Sequence, residues 1–409
     1  MSLPSTYKHA IFKAKGESLV LEDTPLKQPG HGEILVKVEA CGVCHSDMFV
    51  QYDIFYQGFP RVPGHEIIGK VAAVGEGVEG WKAGDRIGAG WHGGHDGTCY
   101  ACQNGWNVSC DSGVINGITK DGGCKFLTRS ASFFPPSSLF SSVQVLVLLE
   151  TSIELRLIFL ALSPPPADAE YATINAIAAV RVPEHVDATE FAPILCAGVT
   201  VFQALRHSGV KPGETVAVQG LGGLGHLAVQ YAKQFGYRVV AVSRGEDKKE
   251  TAASLGASDF IDASKGDPGA ALRELGGAAM VLTTALSSDA ITPLIKGLNI
   301  QGKLLIVSVP GPLTVNTAEL LKYGVSVQVW PTGNNKDSEK AIDFAARHAF
   351  SSVVEKFPLA QAQQAYGAYR RFLRCGLNCV ITGCSADQNP FADKMLSGQA
   401  RYRTVITMD

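Results

Sequence analysis

The sequence predicts an α/β protein, with a mainly β region first and a doubly wound parallel sheet after it. Three observations carry that expectation. Residues 8–90 read as short strands divided by Gly and Pro turns. From about Phe191 onward, strand-like and helical runs alternate, as they do in a parallel sheet covered by helices on both faces. At the first strand–helix junction of that second region stands Gly220-Leu221-Gly222-Gly223-Leu224-Gly225.

In chain order, Glu33–Ala40 (EILVKVEA) alternates apolar and polar residues. It leads into Cys41-Gly42-Val43-Cys44-His45-Ser46-Asp47, and a second strand, Ile67–Val74, leaves Gly64-His65-Glu66. In the second region Thr215–Gln219 and Arg238–Ser243 are expected as strands, with a helix over Gly222–Phe235 between them. Helices near 246–255 and 287–298 alternate with strands at 278–284 and 302–309. After about Pro331 the chain is expected to return to the first domain and to end in a strand over Tyr402–Met408. The domain limits are therefore drawn at 1–190, 191–330 and 331–409.

Bulk properties narrow the function classes. With 409 residues and 46% hydrophobic content, the chain can build more than one core. The 36 basic and 38 acidic residues leave a net charge of −2, which gives no reason to expect nucleic acid or an anionic membrane as partner. The first residues, Met1–Lys8, lack the apolar core of a signal peptide. Ten cysteines without such a signal point to reduced thiols and metal sites in a cytoplasmic protein.

Zinc is bound by Cys sulfur and His nitrogen, and a catalytic zinc takes three protein ligands and keeps one position open. Cys44 and His65 are two candidate ligands, and Cys196, in Leu195-Cys196-Ala197-Gly198-Val199-Thr200, is the third. In Gly220–Gly225 the glycines permit a tight turn, close approach of a pyrophosphate and close helix packing. The following helix N-terminus adds free N–H groups and a positive dipole end. Gly220, Gly222, Gly223, Leu224 and Gly225 are the candidate dinucleotide-binding residues.

GVCHSD, GHE, LCAGVT and the glycine-rich turn stand in the order and spacing of the medium-chain, zinc-dependent alcohol dehydrogenases, which the chain resembles over most of its length. The resemblance implies a GroES-like catalytic domain joined to a Rossmann domain. It implies that Ser46 takes the proton of the alcohol, and that His45 passes it outward or contacts the pyrophosphate. Asp47 would orient the zinc ligand His65, Glu66 would lie beside the zinc, and Thr200 would contact the nicotinamide. A plainer reading leaves Ser46 as a helix cap and His45 as a solvated side chain. Cys41 is expected as a packed thiol, and Trp91 as either pocket wall or core. The family also carries a structural zinc on four cysteines. Here Asp96, Cys99, Cys102 and Cys110 occupy the four positions, so the lobe either holds zinc through Cys3Asp or has lost it.

Two stretches interrupt the resemblance. Residues 124–168 and 367–392 have no periodicity of the surrounding fold. Cys124-Lys125 and Gly367-Ala368 can be encoded with splice donors, and Ala167-Asp168 and Ala392-Asp393 with acceptors. Joining the ends restores Gly-Gly-Tyr-Ala169 and Tyr366-Asp-Lys394, and the chain takes on an ordinary length for the family. Both stretches are therefore expected to be retained introns. Cys124, Cys375, Cys379 and Cys384 fall inside them and are not assigned to a metal. Val143–Leu162 is apolar, but Glu150, Glu154 and Arg156 argue against a membrane span.

The end of the second strand of the parallel sheet selects the dinucleotide. An acidic residue there binds a ribose 2′-hydroxyl and repels a 2′-phosphate. This chain has Ser243 and Arg244, with Lys248 one turn on, which favours NADP; Glu246 and Asp247 keep NAD as the alternative. The leading expectation is a zinc-dependent alcohol dehydrogenase acting on a small alcohol, aldehyde or ketone as a homo-oligomer, a dimer or tetramer. The alternatives are a dinucleotide-binding homologue impaired by its insertions and a zinc-free quinone reductase of the same superfamily.

Overall fold

The computed structural model describes residues 3–119, 168–367 and 402–408. Six parallel strands stand in the order Asp259–Asp262, Arg238–Ser243, Thr215–Gln219, Ala278–Thr283, Leu298–Ile306 and Ser326–Val329. Their central runs are built from small and β-branched residues, and Val216–Val218 and Val239–Val242 are wholly buried. A sheet covered on both faces requires that composition. The order reverses between Thr215–Gln219 and Ala278–Thr283, where the connecting helices leave to opposite faces. A crevice opens there at the carboxyl ends of the strands.

Two elements differ from expectation. The helix expected over 222–235 is Gly225–Gln234, because Gly222–Leu224 is spent on the turn. The helix expected over 287–298 is a short α-turn, Ser288–Ile291, followed by a 3-10 turn, Thr292–Gly297. Pro293 has no N–H to continue the α-helical ladder. The next strand accordingly starts at Leu298 rather than at 302.

The β region forms a seven-stranded sheet. Val354–Pro358, Arg403–Thr407, Glu33–Val43, Ile67–Val74, Arg86–Ala89 and Val180–Arg181 follow one another, and Tyr171–Asn175 also pairs with Glu33–Val43. Arg403–Thr407 runs antiparallel to the end of Glu33–Val43, with Thr404 opposite Val43 and Ile406 opposite Cys41. Cys41 is in turn opposite Ile67. The strand ends that deliver Cys44, His65 and Arg403 thus lie side by side. Buried side chains from Ala40 and Ile68 continue through Ile194–Leu205 into Val216 and Val218, so one core joins the β sheet to the parallel sheet.

Residues 124–167 and 368–392 of the two expected insertions lie outside the described residues. The described chain reaches both junctions. Asp168 is buried; its N–H donates to the Pro63 carbonyl at 3.1 Å and its carbonyl accepts from Ala10 N–H at 2.7 Å. Among the described residues no single helix is long and apolar enough to cross a membrane.

Two buried histidines report on the packing. Burial, with His95 adding to it, lowers His92 to about 4, and burial lowers His226 to about 3. Both are neutral in the folded chain at a pH where an unfolded histidine, near 6.5, is charged. The unfolded chain therefore binds more protons, and stability falls as pH drops below about 6.5. The melting temperature should fall from pH 7 to pH 5, with a shallower slope in His226→Asn; identical slopes would remove His226 from this account.

Candidate metal and dinucleotide site

Cys44, His65, Glu66 and Cys196 each place one ligand atom so that all four lie within 4.8 Å of one another. They come from three elements. Cys44 follows the strand Glu33–Val43, His65 and Glu66 precede Ile67–Val74, and Cys196 stands at the start of the helix Ala197–Arg206. The sulfurs of Cys44 and Cys196 are 3.7 Å apart. His65 is fully buried, with Nδ1 3.2 Å from Asp47 Oδ1. The other Asp47 oxygen accepts the Cys44 N–H at 2.8 Å. His65 Nε2 is buried without a hydrogen bond of normal geometry. A buried imidazole with Nδ1 close to a carboxylate, no hydrogen bond of normal geometry at either nitrogen, and two sulfurs in the same cluster has the form of a metal ligand. The S2N donor set, with a carboxylate at its edge, suits zinc.

The charges are tightly coupled. The Cys196 contact, with His65 and Arg403, brings the Cys44 thiol well below its ordinary range against the cost of burial. That same Cys44 contact, with burial, pushes Cys196 up. Burial would lower His65, but the charges of Asp47 and Cys44 outweigh it and raise the imidazole well above its usual value. Burial also pushes the Glu66 carboxyl up, and Arg403 opposes it.

Around the cluster, Ser46 precedes the helix Asp47–Gln51 but makes no capping hydrogen bond through its side chain. Its Oγ is 3.7 Å from Cys44 Sγ, so the hydroxyl faces the cluster and not the helix end. His45 is half-buried, and burial lowers its pKa. The Trp91 ring meets His65 edge-on, with centroids 5.2 Å apart. The Thr200 hydroxyl donates to the Cys196 carbonyl at 2.8 Å. Cys41 is buried outside the cluster.

Sequence reading missed the layer behind these residues. Arg403 forms an ion pair with Glu66, both side chains being almost wholly buried. Asp168 and the Tyr366 hydroxyl face each other beside Cys41 and Asp47. No local pattern marks them, because strand pairing at long sequence distance brings them in.

A second cluster is Asp96, Cys99, Cys102 and Cys110, whose ligand atoms again lie within 4.8 Å of one another. Asp96 N–H donates to Cys110 Sγ at 3.4 Å, and Asp96 Oδ1 accepts the N–H groups of Thr98 and Cys99 at 2.7 and 2.9 Å. Those bonds hold the Asp96 carboxyl well below the usual range. Backbone N–H groups of Cys102 and Asp111 turn toward the Cys99 sulfur, which they stabilise as thiolate. Three sulfurs and a carboxylate in a cradle of amides fit a closed structural zinc site.

The glycine-rich turn has a steric basis. Gly220 has φ +90°, which favours glycine. A Cβ on Gly225 would stand 1.6 Å from the Gly220 carbonyl oxygen, and one on Gly223 3.0 Å from Arg403 Cδ. Leu224 caps the helix Gly225–Gln234. At the end of the next strand Ser243 is buried, Arg244 exposed and Lys248 half-buried in the 3-10 turn Glu246–Lys248. Asp262, not singled out from sequence, accepts the Gly245 N–H at 2.9 Å and so borders the same loop.

Residues 30–131 match the family model of the alcohol dehydrogenase GroES-like domain, and residues 223–347 that of the zinc-binding dehydrogenases. The chain is 50% identical over 409 residues to alcohol dehydrogenase notN of Aspergillus sp. (strain MF297-2), covering 100% of both chains. It is 47% identical to alcohol dehydrogenase patD of Penicillium expansum, over 99% of this chain and 98% of that one. Among solved structures, a cinnamyl alcohol dehydrogenase of Sorghum bicolor superposes with a TM-score of 0.73 at 25% identity, over 98% of this chain and 97% of that chain.

Proposed function

Because the chain belongs to the zinc-dependent medium-chain alcohol dehydrogenases, we propose that Cys44, His65 and Cys196 hold a catalytic zinc and that its dinucleotide is NADP. The chain is an alcohol dehydrogenase, an oxidoreductase working on small alcohol and carbonyl compounds. The observation that carries the zinc assignment is the buried His65 imidazole, with no hydrogen bond of normal geometry at either ring nitrogen, grouped with two sulfurs 3.7 Å apart.

A zinc held there supplies Lewis acidity toward the alcohol or carbonyl oxygen, and the dinucleotide carries the hydride. The protein's part is positioning and proton handling. Asp47 fixes the His65 ring and, through the Cys44 N–H, the Cys44 main chain. Ser46 accepts the alcohol proton, and His45, neutral and half-buried, passes it outward or meets the pyrophosphate. Glu66 sets the charge beside the cluster under the control of Arg403. Trp91 walls the site against His65, and Thr200, one turn beyond Cys196, faces the nicotinamide. Asp96, Cys99, Cys102 and Cys110 hold a second, structural zinc. Zinc analysis of wild type should give about two ions per chain. In Cys44→Ala zinc falls toward one per chain and turnover disappears while dinucleotide binding persists. Unchanged zinc in that variant would place the metal elsewhere.

For the dinucleotide, Ser243 offers a hydroxyl, and Arg244 and Lys248 offer two cations to a 2′-phosphate, with NAD as the alternative. Glu246 reaches Lys265 and Asp262 holds the Gly245 N–H, so these two acids have protein partners. Arg244→Asp should shift the NADP/NAD ratio of kcat/KM toward NAD by about tenfold, the worth of one charge-assisted bond. A ratio that stays constant rules Arg244 out as the selector.

The homo-oligomer rests on the sheet edge. Ser326–Val329 is the outermost strand of the parallel sheet, and it exposes Val327 and, at 64%, Val329. An apolar edge strand left open is a pairing surface. Sedimentation should give a dimer or tetramer that Val329→Lys weakens; a monomeric wild type contradicts the assignment. None of the six described cysteines is in a disulfide, which supports the cytoplasm as the compartment.

A further inference from the structure

We propose that His226 is a positioning residue for the dinucleotide: it holds the Gly222 carbonyl so that the Gly223 N–H is aimed at the pyrophosphate. The proposal rests on the reading of Gly220–Gly225 as the dinucleotide turn.

His226 lies in the first turn of the helix Gly225–Gln234 and is fully buried. It grips the Gly222 carbonyl twice. Its backbone N–H donates to that oxygen at 3.1 Å, and its ring Nδ1 lies 3.0 Å from the same atom. The other ring nitrogen, Nε2, accepts the Val353 N–H at 3.3 Å. A neutral imidazole has one donor and one acceptor. Acceptance at Nε2 therefore makes Nδ1 the donor, and both nitrogens are used. The ring is stacked on Tyr402, with centroids 4.8 Å apart and planes 11° from parallel. The side chain thus ties together the glycine turn, the segment around Val353 and the returning strand at Tyr402.

The consequence follows from peptide planarity. In a trans peptide the C=O of one residue and the N–H of the next point in opposite directions. Drawing the Gly222 oxygen along the helix toward His226 turns the Gly223 N–H the other way, out of the helix N-terminus. That is where a phosphate is bound by free amides. Gly223 has no side chain to restrain its own peptide, and it packs against Arg403. The second grip on Gly222 supplies the missing restraint.

Two substitutions separate the bonds. In His226→Asn the side-chain nitrogen falls where Nδ1 was and keeps the bond to Gly222. In His226→Gln the polar end falls where Nε2 was, and it can serve Val353 but not Gly222. Both lose the stack on Tyr402, so a merely structural role would weaken both alike. The measurement is NADPH and NADH affinity by fluorescence, together with KM and kcat. His226→Gln should raise the dissociation constant roughly threefold to tenfold, the worth of one net hydrogen bond. His226→Asn should stay within about twofold, and the effect of His226→Gln should fall on the dinucleotide KM rather than on kcat. Equal weakening of both variants, or no weakening by His226→Gln, overturns the proposal. If His226→Gln does not fold, Tyr402→Ala removes the ring that holds the imidazole flat. Weaker dinucleotide binding then supports the role, and unchanged binding overturns it. A wild-type chain that binds neither dinucleotide overturns the underlying function as well.

Discussion

The buried ion pair between Glu66 and Arg403 is the constraint on which the rest of the site depends. Two charges removed from water cost several kcal/mol each unless they meet each other with good geometry. The pair can therefore exist only where the fold brings the GHE segment against the last strand of the β sheet. That junction also contains Cys44, His65 and Cys196. Arg403 packs on Gly223 as well, so the same guanidinium stands between the metal cluster and the dinucleotide turn. An Ala at 403 would leave the Glu66 carboxylate buried without its ion-pair partner. An Ala at 66 would leave a cation in the core. The candidate metal cluster and the glycine turn thus share one buried guanidinium.

Much of this was legible in the sequence because zinc chemistry and phosphate chemistry leave short signatures. Cys44, His65 and Cys196 are far apart in the chain, yet residue type alone nominated them, and the fold gathers their ligand atoms within 4.8 Å. Asp96, singled out because it stands at the first position of the family's four-cysteine pattern, lies with Cys99, Cys102 and Cys110 in the second cluster. In Gly220–Gly225, Gly220, Gly223 and Gly225 each answer a steric demand of the turn. The hidden part is what strand register decides. Arg403 is an ordinary arginine in a terminal strand until antiparallel pairing sets Thr404 opposite Val43. Asp168 and Tyr366 stand at the edges of stretches set aside as insertions, and nothing local says that they face each other. His226 lies within the helix expected over Gly222–Phe235, and only the fold shows that both its nitrogens are spent on backbone groups.

The helix errors have the same origin. Residues 287–298 are expected as one helix, yet Pro293 breaks the ladder and the following strand claims Leu298 to extend the sheet. In the glycine turn, three residues that resemble the start of a helix serve the crevice. At both places proline or glycine sets the helix limit, where the parallel sheet needs a particular edge or opening.

The pairing of Arg403–Thr407 with Glu33–Val43 also sets an order of assembly. Strands of the parallel sheet are near neighbours in sequence, and their helices can dock as the chain emerges. The metal frame has no such luxury. Ile406 must find Cys41 across nearly the whole molecule, a contact of very high sequence separation and correspondingly late formation. A growing chain therefore completes the six-stranded parallel sheet before the strand that closes the Cys44–His65–Cys196 cluster. The sheet that frames Cys44 is complete only when Arg403–Thr407 has paired with Glu33–Val43.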